Sequence, residues 1–175
     1  MGNILPLRSK LINWKMDSFI GKAQAKTDAT GRVFVPANFR KILQSIEEQT
    51  VLLRRDVHQE CMVLHPKKFW EEECKKLEER LIDWGDEKRL NTFRTISATA
   101  EYVDLDSNGR ILIPKYFLHY AKITDTVCFV GMNKSIEIWN PDQFMKVMFN
   151  SDELKSNVRK FLSNSRRTGE KNDEQ

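Results

Sequence analysis

An internal repeat is the feature of this sequence that most constrains its fold. Asp28–Pro36 reads Asp-Ala-Thr-Gly-Arg-Val-Phe-Val-Pro, and 78 residues later Asp106–Pro114 reads Asp-Ser-Asn-Gly-Arg-Ile-Leu-Ile-Pro. The match continues, with slightly shorter connections in the second copy, through Phe39 and Phe117, Thr50-Val51 and Thr126-Val127, and Met62–Pro66 and Glu137–Pro141. Agreement in this order indicates a tandem duplication, so both halves should fold into the same half-module.

Each copy predicts a hairpin around its Asp-x-x-Gly turn. A strand enters the turn at Phe19–Lys26 or Ala98–Leu105, and another leaves it at Val33–Val35 or Ile111–Ile113. Glycine supplies the positive φ of a tight turn, and the aspartate side chain can accept hydrogen bonds from the amides of the turn.

A short helix and a second hairpin should follow in each copy. Proline at the first helical position begins the helices Pro36–Leu43 and Pro114–Ala121. The second hairpins pair Thr50–Arg54 with Cys61–Leu64 and Thr126–Val130 with Ser135–Trp139. The predicted class is therefore α+β and mainly β, with flanking helices.

Four segments are expected along the chain: a basic N-terminal extension (1–17), a first repeat with its closing helices (18–97), a second repeat with its closing helix (98–162) and a disordered tail (163–175). The first closing helix carries an amphipathic stripe of Trp70, Cys74, Leu77, Leu81 and Trp84, which is typical of a packing helix. The second has a looser stripe of Phe144, Val147, Met148, Leu154, Val158 and Phe161. The tail has almost no apolar residues.

Charge and hydropathy favour a cytoplasmic protein with a polyanionic partner. The net charge is +4, and its excess lies in the first third of the chain. No apolar run approaches the roughly 20 residues that span a bilayer. Arg8 and Lys10 interrupt the N-terminal apolar residues, so a secretory signal is not expected.

Enzyme and metal chemistry find little support, and we expect no cofactor and no small-molecule substrate. The three cysteines are widely spaced without a Cys-x-x-Cys pair, and we expect them to be buried apolar residues. His58, His65 and His119 share no metal-ligand spacing. An aspartic protease needs glycine two places after the aspartate, whereas here it stands three places after, and the adjacent arginines would keep both carboxylates ionised.

The arginine that follows the glycine in both copies points to double-stranded DNA. A purely structural explanation is that the aspartates and glycines of the two motifs only form turns, namely Asp28, Gly31, Asp106 and Gly109. In that case the arginines would simply pair with those aspartates. A β-ribbon, however, fits the major groove, where arginine binds guanine O6 and N7 with two hydrogen bonds. Arg32 and Arg110 are thus the candidate base readers, and the candidate phosphate contacts are Lys22, Lys26, Arg40 and Lys41.

These residues resemble the MraZ family of bacterial transcriptional regulators. The resemblance spans about Ser18 to Met148 and rests on Phe19-Ile-Gly21, Asp28–Arg40, Asp106–Pro114 and Ile136–Trp139. It implies an AbrB-like swapped-hairpin barrel in which the two copies pair within one chain, and a homo-oligomeric ring of several chains. It further implies a nucleoid-associated protein that binds short G-rich direct repeats upstream of the division and cell-wall gene cluster through Arg32 and Arg110.

The chain departs from this family at two places. Lysine is frequent before the glycine in the family, but Thr30 and Asn108 stand there in this chain, so one phosphate contact per loop is expected to be missing. The extension 1–17 has no family counterpart. Translation from Met16 would explain it, and otherwise it would be a basic arm that adds non-specific DNA affinity.

Two rival functions remain. An AbrB-type antitoxin usually has one copy of the module and a toxin-binding tail, which the duplication disfavours. A protein-binding adaptor would expose a large apolar helix face, for example around Trp70, Leu77, Leu81 and Trp84.

Overall fold

The two copies contain the same series of strands in a computed structural model that describes residues 18–148 and 151–169. The first copy comprises β1 (Lys22–Lys26), β2 (Arg32–Phe34), α1 (Ala37–Ser45), β3 (Thr50–Arg55), β4 (Met62–Pro66), α2 (Lys67–Leu81) and α3 (Glu87–Ala98). The second comprises β5 (Ala100–Asp104), β6 (Arg110–Leu112), α4 (Lys115–Tyr120), β7 (Thr126–Met132) and β8 (Ser135–Trp139), and α5 (Pro141–Met148) and α6 (Ser151–Gly169) follow. The predicted α+β class is confirmed.

Strand pairing joins the two copies rather than keeping them apart. The first strand of each copy pairs with the third strand of the other, β1 with β7 and β5 with β3. Equivalent strands also pair with each other, β2 with β6 and β4 with β8. All of these pairs are antiparallel. Both sheets therefore contain strands of both copies.

A single closed barrel, as the resemblance implied, is not what the described strands form. Hydrogen bonds link six strands into an open sheet in the order β1-β7-β8-β4-β3-β5, and β2 and β6 form a separate two-stranded sheet. Between β1 and β2 there is an isolated bridge from Thr27 to Val33. Because β2 and β6 have three residues each and lie between a glycine turn and a proline, they are too short to extend the ladder.

The core is built from equivalent residues of both copies. Val33, Ile111, Phe39 and Phe117 are each at most 1% exposed. Alternation along β2 and β6 directs their middle residues inward, and the helices that follow contribute the two phenylalanines. Burying each such side chain contributes about 1.5–3 kcal/mol of stability. Because the equivalent residues of both copies belong to one cluster, the two copies share a single core.

Both proline-initiated helices begin one residue later than predicted, so each proline lies just outside its helix. Pro36 and Pro114 have ψ angles of 142° and 143°, which are extended, and the helices begin at Ala37 and Lys115. Each proline is therefore the N-cap, where the backbone still has the strand conformation. The first strand is also shorter than predicted, because positive φ at Gly21 separates it from Phe19.

The apolar stripe of the first closing helix is mostly covered. Trp70 is 8% exposed, whereas Leu77 and Leu81 are half-buried. The prediction that Trp84 continues this helix is wrong, because α2 ends at Leu81 and Asp86 caps a new helix by accepting from the amides of its first turn. Trp84 lies in the connection and is 87% exposed.

The chain divides into two compact units, and α5 and α6 belong to the second, which begins at Pro141. The tail predicted from Ser163 is helical as far as Gly169, because α6 extends that far. The scarcity of apolar residues after Ser163 means that this segment cannot bury an apolar face, but it does not prevent the backbone from being helical. Residues 1–17 and 170–175, which include the predicted basic extension, lie outside the described residues. None of the described helices is both long and apolar enough to cross a bilayer.

His65 is a buried histidine that is expected to stay neutral in the folded protein. Its side chain lies beside Trp70, and its Nε2 accepts a hydrogen bond from Arg54 Nε at 3.2 Å. Burial, followed by the Arg54 charge, lowers the pKa of His65 from 6.5 to about 3. A group with a depressed folded-state pKa stabilises the fold above its unfolded pKa and loses that contribution as the pH falls.

Replacing this group should therefore flatten the acid dependence of stability. Between about pH 7 and about pH 5, wild type is expected to lose up to about 2 kcal/mol more free energy of unfolding than His65→Gln, which offers Arg54 an acceptor but does not titrate. Urea unfolding at both pH values measures the difference. Equal losses in the two proteins would mean that His65 is protonated without penalty.

Candidate nucleic-acid interface

The first loop is closed by the carboxylate of Asp28. Its Oδ1 accepts from the Thr30 amide at 2.9 Å, the Thr30 hydroxyl at 2.6 Å and the Arg32 amide at 2.9 Å. The Thr30 hydroxyl in turn accepts from Arg32 Nη1 at 3.3 Å. These bonds are those of an Asx turn, which fixes where the chain enters β2.

The second loop has the same turn with a different side-chain partner. Oδ1 of Asp106 accepts from the amides of Asn108 and Arg110, both at 2.9 Å. Its Oδ2 accepts from Arg110 Nε at 2.7 Å in an ion pair. Arg110 thus forms the ion pair with the aspartate of its own loop that a purely structural role would explain. Arg32 forms no such pair in the first loop and donates to the Thr30 hydroxyl instead.

The glycine of each loop has the positive φ expected of it and contacts the other copy. Gly31 has φ 93° and Gly109 has φ 77°. The carbonyl of Gly31 accepts from the Ile113 amide at 3.0 Å, and that of Gly109 accepts from the Val35 amide at 3.1 Å. Each loop is therefore held on the strand that leaves the other loop.

The electrostatics of the two aspartates do not suit a proton-sharing pair. The pKa of Asp28 is lowered chiefly by its hydrogen bond from Thr30, and that of Asp106 chiefly by the Arg110 amide. Two carboxyls that shared a proton would need one raised pKa. Both groups are instead ionised at neutral pH and act as acceptors within the turns.

Arg32 and Arg110 lie on one face of the two-stranded β2–β6 ribbon. In its register Arg32 stands opposite Leu112, and Phe34 stands opposite Arg110. Since side chains alternate along a strand, these four residues share the outward face, while Val33 and its partner Ile111 face the core. The arginines are at the first position of each strand, just after the loop, and the ribbon brings them together.

Two ribbon residues were missed by reasoning from the sequence. Phe34 is 52% exposed and Leu112 is 46% exposed, so the outward face is apolar between its two arginines. The signal was available in the sequence, because side chains alternate along a strand and the second residue after each arginine therefore lies on the same face as that arginine.

Arg40 is placed differently from the other candidate phosphate contacts. It is half-buried on α1, and its Nη1 donates to the Asn108 carbonyl in the second loop at 3.0 Å. Its guanidinium lies directly over Gly109, since a Cβ built there would be 2.6 Å from Nη1. The structure thus brings Arg40 to the second loop.

The three candidate lysines are exposed. Lys22 and Lys26 lie on the same side of β1, which is an edge strand of the six-stranded sheet, and Lys26 stands two residues before Asp28. Lys41 lies on the exposed side of α1. Exposed cations at these positions can contact a polyanion.

The cysteines form no bonds with one another. Cys61 and Cys128 are buried, as predicted, and Cys74 is half-buried. Across residues 18–148 and 151–169, no three His, Cys, Asp or Glu side chains are grouped so as to hold a metal ion.

Comparison with known proteins gives one consistent family. The family model of the "MraZ protein", which is described as antitoxin-like, matches residues 96–162. A protein of Bacteroides fragilis named "Transcriptional regulator MraZ" is 39% identical over 153 residues, which cover 87% of this chain and 96% of that protein. Proteins of the same name from Phocaeicola vulgatus and Rhodospirillum rubrum are 44% and 34% identical, covering 71% and 72% of this chain and 80% and 81% of theirs.

Proposed function

The chain belongs to the MraZ family, and from this we propose that it regulates transcription by binding double-stranded DNA in a sequence-specific manner through the β2–β6 ribbon. The curated relatives are named transcriptional regulators, which supports a DNA-binding regulator rather than an enzyme. Arg32 and Arg110 are the proposed base readers, and short G-rich direct repeats near division and cell-wall genes are the proposed target.

The observation that carries this proposal is the shared outward face of the two arginines. A two-stranded ribbon is narrow enough for the major groove, and arginine can bind guanine O6 and N7 with two parallel bonds. Nε of Arg110 is engaged by Asp106, which leaves its terminal nitrogens available to present a flat pair of donors. A merely structural ion pair would not require a second arginine on the same face.

Phosphate contacts are proposed for the exposed lysines. Lys22 and Lys26 on β1 and Lys41 on α1 supply positive charge that positions DNA without specifying its sequence. The sequence groups Arg40 with these lysines, but its hydrogen bond to the Asn108 carbonyl favours a different role.

The cross-copy pairing supports a swapped-hairpin arrangement for the fold. In this arrangement each β1–β2 or β5–β6 hairpin is contributed to the half of the molecule formed by the other copy, as the β1–β7 and β5–β3 pairs suggest. We further propose that several chains form a ring in the cytoplasm, on the nucleoid. Many arginine-bearing ribbons on one ring would bind repeated sites by avidity.

The adaptor alternative loses most of the α2 face that served as its example, although α6 exposes Leu154, Val158 and Phe161. Trp70 is buried and α3 packs against α2, so the apolar helix face is largely covered, with Trp84 as an exposed exception. Capture from a nuclease-treated lysate separates the two functions: a DNA regulator loses its main partner, whereas an adaptor or antitoxin retains a protein.

A gel-shift titration tests the proposed function. The probe is the DNA immediately upstream of the protein's own gene, with a scrambled sequence of equal composition as control, at about 50 and about 200 mM salt. We expect tight binding to the upstream DNA that weakens with salt, and weaker binding to the control. Equal, weak binding to both DNAs would mean that the protein binds DNA only through non-specific electrostatic attraction, and it would contradict the proposed sequence-specific function.

A further inference from the structure

The two loops are not equivalent, because three contacts restrain the second loop or its arginine and have weaker counterparts, or none, in the first. The first difference is the aspartate. Asp106 binds the Arg110 side chain directly, whereas Asp28 binds the Thr30 hydroxyl, and that hydroxyl meets Arg32 at a longer 3.3 Å. The Arg110–Asp106 bond joins two charged groups at 2.7 Å, whereas the Arg32–Thr30 bond joins a charged group to a neutral hydroxyl at 3.3 Å, so Arg110 is held more firmly.

The second difference is the residue across the ribbon. Phe34 stands opposite Arg110, and the Arg110 guanidinium carbon lies 5.6 Å from the centre of its ring. Opposite Arg32 stands Leu112, which offers no aromatic face. The guanidinium of Arg110 is thus restrained by Asp106 at its Nε and by the face of the Phe34 ring.

The third difference is the helix residue that contacts each glycine. Arg40 on α1 donates to the Asn108 carbonyl at 3.0 Å and lies over Gly109. The repeat places Leu118 at the equivalent position, and a Cβ built on Gly31 would lie 3.4 Å from its Cδ1, an ordinary apolar contact. The first copy therefore holds the second loop with the Arg40–Asn108 hydrogen bond, which we call the clamp. The second copy contacts the first loop only by the apolar packing of Leu118.

We infer that Arg40 is a positioning residue and that the second loop, which it holds together with Asp106 and Phe34, is the principal sequence-discriminating element of the molecule. The inference rests on the proposed DNA-binding function. A side chain that is already ordered loses less conformational freedom on binding and cannot readily adapt to a wrong base. Arg32, which is less restrained, contributes affinity with less discrimination.

A measurement without DNA tests the clamp itself. NMR detection of arginine Nε–H groups should show slower hydrogen exchange for Arg110 than for Arg32 in the full-length protein. Arg40→Leu, which installs the residue of the equivalent position in the second copy, should accelerate the exchange of Arg110 and leave that of Arg32 unchanged. Equal exchange in wild type, or no response in the variant, would overturn the inference whatever the DNA affinity.

Binding to operator and scrambled DNA then separates positioning from phosphate contact. Arg40→Leu is expected to weaken operator binding about threefold to tenfold, with little change for scrambled DNA and no change in the salt slope. Lys41→Leu removes the same charge from the neighbouring position of α1, and as a phosphate contact it should weaken both DNAs alike and lower the salt slope by about 1. If Arg40→Leu behaved like Lys41→Leu, Arg40 would be a phosphate contact.

The single arginine variants complete the test. Arg110→Ala should lower the ratio of operator to scrambled affinity more than Arg32→Ala does. An equal or reversed order would overturn the assignment of discrimination to the second loop. If wild type did not prefer the operator at all, the proposed function would fail instead, and the exchange measurement would still report on the clamp.

Discussion

The Arg32→Ala, Arg110→Ala double variant is expected to bind operator DNA at least about a hundredfold more weakly than wild type, with each single change costing at least about tenfold. Each bidentate arginine–guanine contact contributes about 1–3 kcal/mol, and both arginines lie on the outward face of the ribbon. Neither side chain belongs to the core, so thermal unfolding should change little.

The control for this experiment must remove the same charge elsewhere. Lys75→Ala, Lys88→Ala removes two exposed lysines from α2 and α3 and is expected to preserve the preference for the operator. Competitive gel shifts with operator and scrambled probes measure that preference. If the arginine variant were well folded and bound as tightly as wild type, or if the lysine variant lost as much, the ribbon would not be the reading surface.

Gly31→Ala is expected to destabilise the fold by about 2–4 kcal/mol, clearly more than the equivalent change Gly109→Ala, at about 1–2 kcal/mol. Both glycines have positive φ, which costs any other residue strain. They differ in what an added methyl group would meet. At Gly31 it would lie 2.6 Å from the Ile113 carbonyl oxygen, which is a backbone atom and cannot rotate away as a side chain can.

At Gly109 the added methyl group would meet Arg40, whose long side chain can move aside. Its movement would release the second loop, so Gly109→Ala should resemble Arg40→Leu in DNA binding despite its smaller effect on stability. Chemical denaturation of both variants measures the difference in free energy of unfolding. Equal destabilisation, or a larger loss for Gly109→Ala, would contradict the contacts described for the two loops.

The loops and the core could be predicted from the sequence because their chemistry is local. The Asp-x-x-Gly-Arg turn needs aspartate and glycine at fixed positions, and strand alternation directs Val33 and Ile111 inward whatever the tertiary arrangement. Duplication then doubled the signal, since each assignment in one copy could be checked against the other.

Non-local pairing could not be predicted from the residues alone. The pattern of apolar residues in β1 is satisfied equally well beside β3 of its own copy or beside β7 of the other copy, and the structure pairs it with β7. The ribbon β2–β6 is likewise a contact between segments 78 residues apart. These choices depend on connection geometry, about which periodicity carries no information.

Charged residues were the least predictable part of the candidate site. Arg40 and Lys41 are adjacent cations in the sequence and were assigned the same role, yet one contacts Asn108 and the other is exposed. The difference arises because neighbouring positions of a helix point about 100° apart. Likewise, the difference between Thr30 and Asn108 becomes meaningful only when their hydrogen bonds are known.

Substitution of guanine N7 in the operator tests the central claim most directly. An operator in which 7-deazaguanine replaces guanine lacks the N7 acceptor but retains its pairing and charge. Wild type is expected to bind it about tenfold more weakly than the natural operator, whereas the Arg32→Ala, Arg110→Ala variant should bind both equally weakly. Equal binding of wild type to the two operators would contradict the claim that the ribbon arginines read guanine in the major groove.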